Sequence, residues 1–354
     1  MKTLVRKNIK DLVAYKVDAP QYEIIVNANE NPYDFPMQLK RKFCDDICNT
    51  DLNRYPEACF PELLDELSDY TGIPQTGIIS GSGSDELIAM INQAFIDPGD
   101  VVISHAPSFA MYDIWATIAN AQHLMIKDLP NHVPDIDGMI TAACENNAKL
   151  LYICNPNNPT GYIFSREEIL KILDTVPSLV ILDEAYIEFW GKSSVDLIAQ
   201  YPRLLIMRTL SKAFGLAGIR CGYALGNPEV IDILYKVKGP YNLNVLTQKI
   251  AVIALQNRDA ILRNLDVLRA ERNKAAAVLE SLPEITVYPS GSNFIYFETN
   301  KAEAIFDALL KNNILIKRFA ESDSNPGGIR FSMGKPQENQ KILEIIKAVV
   351  YNEA

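Results

Sequence analysis

Between Leu204 and Tyr223 the chain reads LLIMRTLSKAFGLAGIRCGY, and its one lysine, Lys212, follows an apolar, β-rich run. Thr209 and Ser211 stand just before it, and Arg220 comes eight positions after it. Most lysines are solvated surface charges, and that reading applies here too. The alternative is chemical. Hydroxyls and a guanidinium hold a phosphate well. A lysine beside them can form a Schiff base with an aldehyde on the same ligand. In SLVILDEAY, Asp183 directly follows an apolar run. It reads as an N-cap, as a surface acid, or as a partly buried carboxylate that needs a cation or donor, such as a protonated ring nitrogen.

Two further motifs stand where a ligand would meet them. NPNNPTG (155–161) follows the apolar run AKLLYIC. Taken alone it is a turn; at the carboxyl end of a strand, Asn158 is also a candidate ligand-facing amide. SGSGSDELIAM sets Gly81, Ser82, Gly83 and Ser84 at the start of a helix, where free N–H groups and the helix dipole favour a phosphate. A glycine turn with a serine cap explains that segment equally well. Glu86 stands where the third glycine of a dinucleotide fingerprint would be, and GxxxxGK[ST] is absent, which counts against NAD and against a P-loop. Lysine, acid, hydroxyls and arginine together ask for pyridoxal 5'-phosphate, with Asn158 and Tyr186 on its ring oxygen.

The elements that must position these residues are legible from about Ser84 onward. DVVISHA, AQHLMIK, AKLLYIC, SLVILDEAY and RLLIMRT read as strands. SDELIAMINQAFI, SFAMYDIWATIAN, DIDGMITAACENN and SREEILKILDTV read as helices, the last with a Ser165–Glu168 capping box. The alternation predicts an α/β fold, a mostly parallel sheet flanked by helices. After Tyr241 come two long helical patterns, NVLTQKIAVIALQ and DAILRNLDVLRAERNKAAAVLESL. ITVYP, NFIYFET, a helix, ILIKRF, GIRFSMG and a final helix follow, which reads as a smaller α+β domain. We expect an N-terminal arm over 1–30, a large cofactor-binding domain over 31–240 and a small domain over 241–354.

Bulk properties narrow the function. The chain has 354 residues, 48% of them apolar and 22% charged, which is ordinary globular composition for a two-domain chain. A net charge of −10 argues against nucleic acid and anionic membranes as partners, so anionic ligands must be held by local arginines. Six scattered cysteines form no CxxC pair, and the N-terminus shows no secretory h-region, so reduced thiols and a cytoplasmic location are expected. No stretch is apolar enough for a bilayer, and three histidines without ligand spacing predict no metal site.

The order and spacing of NANENPY (27–33), RYPE (54–57), GSGSDELI, NPNNPTG, DEAYIEF, RTLSKAFGLAGIRCGY, PYNLN (240–244) and IRFSMG resemble the fold-type I pyridoxal-phosphate aminotransferases. The resemblance spans nearly the whole chain. It implies that Lys212 carries the cofactor and that Asp183 pairs with the pyridinium nitrogen. It puts Asn158 and Tyr186 on the ring oxygen, and Ser82, Gly83, Ser84, Thr209, Ser211 and Arg220 around the phosphate. Phe109 matches an aromatic that stacks on the ring, with core packing as its alternative. Tyr55 would reach the phosphate of a neighbouring subunit, which implies a homodimer. Arg330 matches the arginine for the substrate's anionic end. Arg318 reads equally as a second anion contact or a surface arginine. Tyr15, Asn27, Glu30 and Tyr241 lie in segments that line the substrate pocket of such enzymes.

The activity implied is a ping-pong transamination between histidinol phosphate, a phosphorylated amino alcohol, and 2-oxoglutarate, giving glutamate. An aminotransferase of the same fold for aromatic or other amino acids is the nearest alternative. A phosphothreonine decarboxylase fits the ANENPY segment less well. A non-catalytic binding module of this fold usually adds a DNA-binding segment.

Overall fold

The computed structural model describes residues 4–10, 12–14, 21–58, 60–322 and 325–351. Its first strand, β1 (Ile24–Ile25), precedes the central sheet. That sheet is built from β2 (Ile78–Gly81), β3 (Val101–Ala106), β4 (Gln122–Lys127), β5 (Leu150–Cys154), β6 (Leu179–Asp183), β7 (Leu204–Thr209) and β8 (Gly222–Gly226). The seven strands lie in the order β2-β8-β7-β6-β5-β3-β4. Pairings among β3 to β7 are parallel, while β8 runs antiparallel to both its neighbours. Every residue of β5, β6, β7 and β8 is buried, as expected for strands covered by helices on both faces.

The helix Arg166–Thr175 starts where the sequence places its cap. Ser165 accepts from the Glu168 N–H while Glu168 reaches back to the Ser165 N–H, closing the capping box of the helix Arg166–Thr175. Asn227 caps the helix Pro228–Val237, with proline at its first position. The two hydrophobic clusters of the core lie against the two faces of the central sheet. Ile103, Leu151, Val180 and Ile206 belong to one, and Val102, Leu150, Ile181 and Leu205 to the other.

A second, four-stranded antiparallel sheet holds β9 (Thr286–Tyr288), β10 (Phe294–Glu298), β12 (Lys317–Ser322) and β13 (Asn325–Ser332) in the order β12-β13-β10-β9. Two expectations change here. The run ILIKRF, read as one strand, is divided: β11 (Ile314–Leu315) pairs in parallel with β1, and β12 leaves for the second sheet. The long helical pattern after residue 258 is broken into Arg258–Leu262 and Leu265–Glu280, with Arg263 and Asn264 between them still in right-handed helical backbone. The helices Met37–Cys48 and Pro61–Thr71 precede the α/β alternation and were not read from the sequence.

Candidate active site

β5, β6 and β7 end side by side, with Cys154 opposite Asp183 and Asp183 opposite Met207. Asn158 leaves the loop after β5, Asp183 closes β6, and Lys212 follows β7. Three residues far apart in sequence thus reach one edge of the sheet.

Asp183 is buried. Its Oδ2 accepts from the Tyr112 hydroxyl at 2.8 Å and its Oδ1 from the Ala185 N–H at 3.1 Å. Burial pushes the carboxyl up to about 6, against the opposing pull of those hydrogen bonds. Lys212 donates to the Ala28 carbonyl at 2.8 Å and lies 5.8 Å from the centre of the Tyr186 ring. Burial, then the nearby Arg330 charge, brings its ammonium down to about 8, although the amine keeps contact with solvent. The Tyr186 hydroxyl accepts from Asn29 Nδ2 at 2.9 Å, and its ring meets Phe294 edge-on. Asn29 is buried in left-handed backbone at φ 56°, and its Oδ1 has no hydrogen-bond partner among the described residues. The sequence reading missed Asn29 and Tyr112.

Arg330 is buried on β13, with its guanidinium 5.3 Å from the Phe294 ring centre and 5.6 Å from that of Phe319. Its Nη1 donates to Asn158 Oδ1, and its Nη2 donates to the Asn27 carbonyl at 2.6 Å. Asn27 therefore meets the arginine through its backbone. Glu30 is exposed, and its charge opposes the lowering of Lys212. Arg318 requires a correction. The register sets Lys317 directly opposite Arg330 and Arg318 opposite Ile329, so alternation sends Arg318 to the other face. There it pairs with Glu303 at 3.7 Å and covers Phe306. Lys317 is the cation that shares a face with Arg330. A cavity of about 660 Å³ beside Arg318 and Glu303 includes neither Lys212 nor Asp183 in its lining.

The turn between β7 and β8 and the start of the helix Gly83–Phe95 form a close-built cup. Gly83 has φ 77°, and a Cβ there would lie 2.3 Å from Arg220 Nη2. A Cβ on Gly222 would lie 2.6 Å from the Gly83 carbonyl carbon and 2.8 Å from the Ser84 nitrogen. Arg220, at φ 58°, donates to Asp85 Oδ2 at 2.9 Å. Thr209 Oγ1 lies 2.9 Å from Ser211 Oγ and 3.2 Å from the Cys221 carbonyl. The Ser82 N–H donates to the Glu86 carboxylate, whose Oε2 also accepts from Asn242 at 2.8 Å. The residue at the missing third glycine thus ties the helix start to the 239–244 loop.

Phe109 is half-buried and meets Tyr112 edge-on. Tyr55, 80% exposed, stacks on Tyr241 with ring centres 4.4 Å apart, so two of the expected residues meet at the surface. Tyr15 lies outside the described residues. Each histidine pairs with a carboxylate, His105 with Asp128, His123 with Asp113 and His132 with Glu298. Among the described residues no group of three His, Cys, Asp or Glu gathers to hold a metal, and no helix is long and apolar enough to cross a membrane.

This donor set fits pyridoxal phosphate. It offers an amine of lowered basicity for an aldehyde, a buried acid for a ring nitrogen, a phenol and an amide for a ring oxygen, and an arginine with glycine-lined backbone for a phosphate. The family model for aminotransferase class I and II matches residues 23–346, and the chain belongs to that family. Among curated relatives, it is 36% identical to a histidinol-phosphate aminotransferase of Thermoanaerobacter sp. (strain X514), with 99% of each chain covered. It is 38% identical to the enzyme of that name from Chromobacterium violaceum, with 97% of each covered. A histidinol-phosphate aminotransferase from Sinorhizobium meliloti, solved with pyridoxal-5'-phosphate, superposes with a TM-score of 0.90 at 21% identity, covering 99% of both chains. One from Clostridium acetobutylicum gives 0.85 at 26% identity, covering 93% of this chain and 99% of that one.

Proposed function

We propose that this chain is a pyridoxal-phosphate-dependent aminotransferase that converts L-histidinol phosphate and 2-oxoglutarate into imidazole acetol phosphate and L-glutamate. The step belongs to histidine biosynthesis. The observation that carries the reading is the delivery of Asn158, Asp183 and Lys212 by three adjacent strand ends, with Arg330 bonded to Asn158. Full-length relatives of that name support the substrate.

When bound, pyridoxal phosphate supplies an aldehyde to carry the amino group and a protonated ring to accept electrons from the substrate's Cα. Lys212 Nζ, neutral above about pH 8, would take the proton from the substrate's Cα and deliver it to the carbon of the cofactor's aldehyde group, general acid–base work worth about 10²–10⁴-fold. Asp183 holds the proton on the ring nitrogen. Asn158 and Tyr186 orient the ring through its oxygen, and Phe109 packs on its face. Arg220, Thr209, Ser211 and the 82–84 segment hold the phosphate. Arg330 receives the anionic end of each substrate, phosphate or carboxylate, in alternate half-reactions, while Asn27, Glu30, Tyr241 and Tyr15 line the pocket. The arm 1–30, the large domain 31–240 and the small domain 241–354 divide this work. The chain acts in the cytoplasm as a homodimer in which Tyr55 of each protomer serves the other's phosphate.

The yellow holoprotein, mixed separately with L-histidinol phosphate, L-phenylalanine and L-glutamate, tests the substrate. Histidinol phosphate and glutamate are expected to bleach the band, and bleaching by phenylalanine in preference to both would favour an aromatic aminotransferase. Arg330→Gln is expected to raise KM for both substrates by about 10–100-fold, the loss of a charge-assisted contact. A rise for only one substrate would refute the shared-anion role. Lys317→Gln is expected to raise KM for the phosphorylated substrate about tenfold, while Arg318→Gln, on the other face, leaves it within about twofold.

A further inference from the structure

Tyr112 sits in the first turn of the helix Met111–Ala119 and is fully buried. Its ring stacks on Tyr152, centres 4.6 Å apart and planes 13° from parallel, and Phe109 meets it edge-on at 5.7 Å. Two aromatic neighbours therefore fix the direction of its hydroxyl. Tyr152 is itself held, accepting from Asn92 Nδ2 at 3.0 Å. The hydroxyl donates to Asp183 Oδ2 at 2.8 Å.

Asp183 has little else to keep it charged. Asp85 and Glu184 both push a proton onto it, and the neighbouring Cys154 thiol points its hydrogen to the Pro156 carbonyl at 3.4 Å. Burial holds the Tyr112 phenol protonated, so it acts toward the acid as a donor. The Ala185 N–H fixes Oδ1 from the acid's own chain, and Tyr112 fixes Oδ2 from a helix packed on the sheet. Each oxygen keeps a lone pair for a further donor.

We propose that Tyr112 is a positioning residue that orients Asp183 and holds it ionised for the ring nitrogen of pyridoxal phosphate. The inference rests on the cofactor reading above. Tyr112 acts through Asp183 and contacts neither substrate nor reacting atoms.

The test uses the full chain freed of cofactor, in four forms: wild type, Tyr112→Phe, Asp183→Ala and the double variant. The dissociation constant for pyridoxal phosphate is read by protein fluorescence, and kcat and KM are read after reloading. Phenylalanine keeps the stack on Tyr152, so the thermal midpoint should move by only a few degrees. Tyr112→Phe is expected to weaken cofactor binding about tenfold and to lower kcat about tenfold, with KM within about twofold. In the Asp183→Ala background the same change should alter cofactor binding less than about twofold, because its partner is gone. An equal loss with and without Asp183, a rise in KM at constant kcat, or no loss would overturn the proposal. A wild-type apoprotein that fails to bind pyridoxal phosphate would instead remove the cofactor reading, and the proposal with it.

Discussion

Lys212→Ala is expected to abolish measurable turnover and the absorption band of lysine-bound pyridoxal phosphate. No other described residue takes its place. It is the one lysine between Leu204 and Tyr223, and its ammonium reaches the Ala28 carbonyl and the face of Tyr186. General acid–base work alone accounts for about 10²–10⁴-fold, and loss of the covalent anchor adds to it. A second measurement follows from the site's charge. Burial and Arg330 lower the Lys212 amine to about 8, so in the apoprotein it should react with amine reagents half-maximally near that pH, well below solvated lysines. Mass mapping of the labelled residue reads this directly. Retained turnover and a retained band of the lysine-bound cofactor in Lys212→Ala would refute the assignment.

Asp183→Ala carries the second-largest expected effect. A carboxylate facing a ring nitrogen holds its proton by about 2–3 pKa units, each worth 1.36 kcal/mol, so removing it should cost about 10²–10³-fold in kcat. Arg220 and the glycine-lined cup are untouched, so weak cofactor binding should persist. The two variants should separate in the spectrum: Asp183→Ala keeps the band of the lysine-bound cofactor at high cofactor, and Lys212→Ala does not. An Asp183→Ala protein with kcat within about fivefold of wild type would show that another group protonates the ring.

Much of this arrangement could be read from the chain, and the reasons are local. β5, β6 and β7 announce themselves as short apolar runs, each ended by a polar motif, because a strand buried on both faces tolerates little else. The Ser165 cap is a four-residue signal and forms as read. What the sequence withheld depends on partners far away. ILIKRF turns from apolar to basic at Lys317, but no glycine, proline or turn residue marks Ile316 as the point where the chain changes sheets, and only the partner strands divide it. The choice between Lys317 and Arg318 turns on a one-residue register, which flips every side chain to the other face. Tyr112 in SFAMYD looks like any aromatic facing a core, and its hydroxyl acquires meaning only beside the end of β6. The sequence likewise made Asn27 a pocket residue but could not tell that its carbonyl, not its amide, would meet Arg330.

The pairing of Ile24 and Ile25 with Ile314 and Leu315 bears on how the protein comes into being. The carbonyls of Asn27 and Ala28, which hold Arg330 and Lys212, are carried by the segment that this pairing anchors. On the ribosome, all seven strands of the central sheet emerge well before Ile314 does. A nascent chain can thus pair its central sheet, and with it the strand ends that carry Asn158, Asp183 and Lys212, before the partners of Ile24 and Ile25 and the arginine of β13 are made, so the anion contact joins the site last.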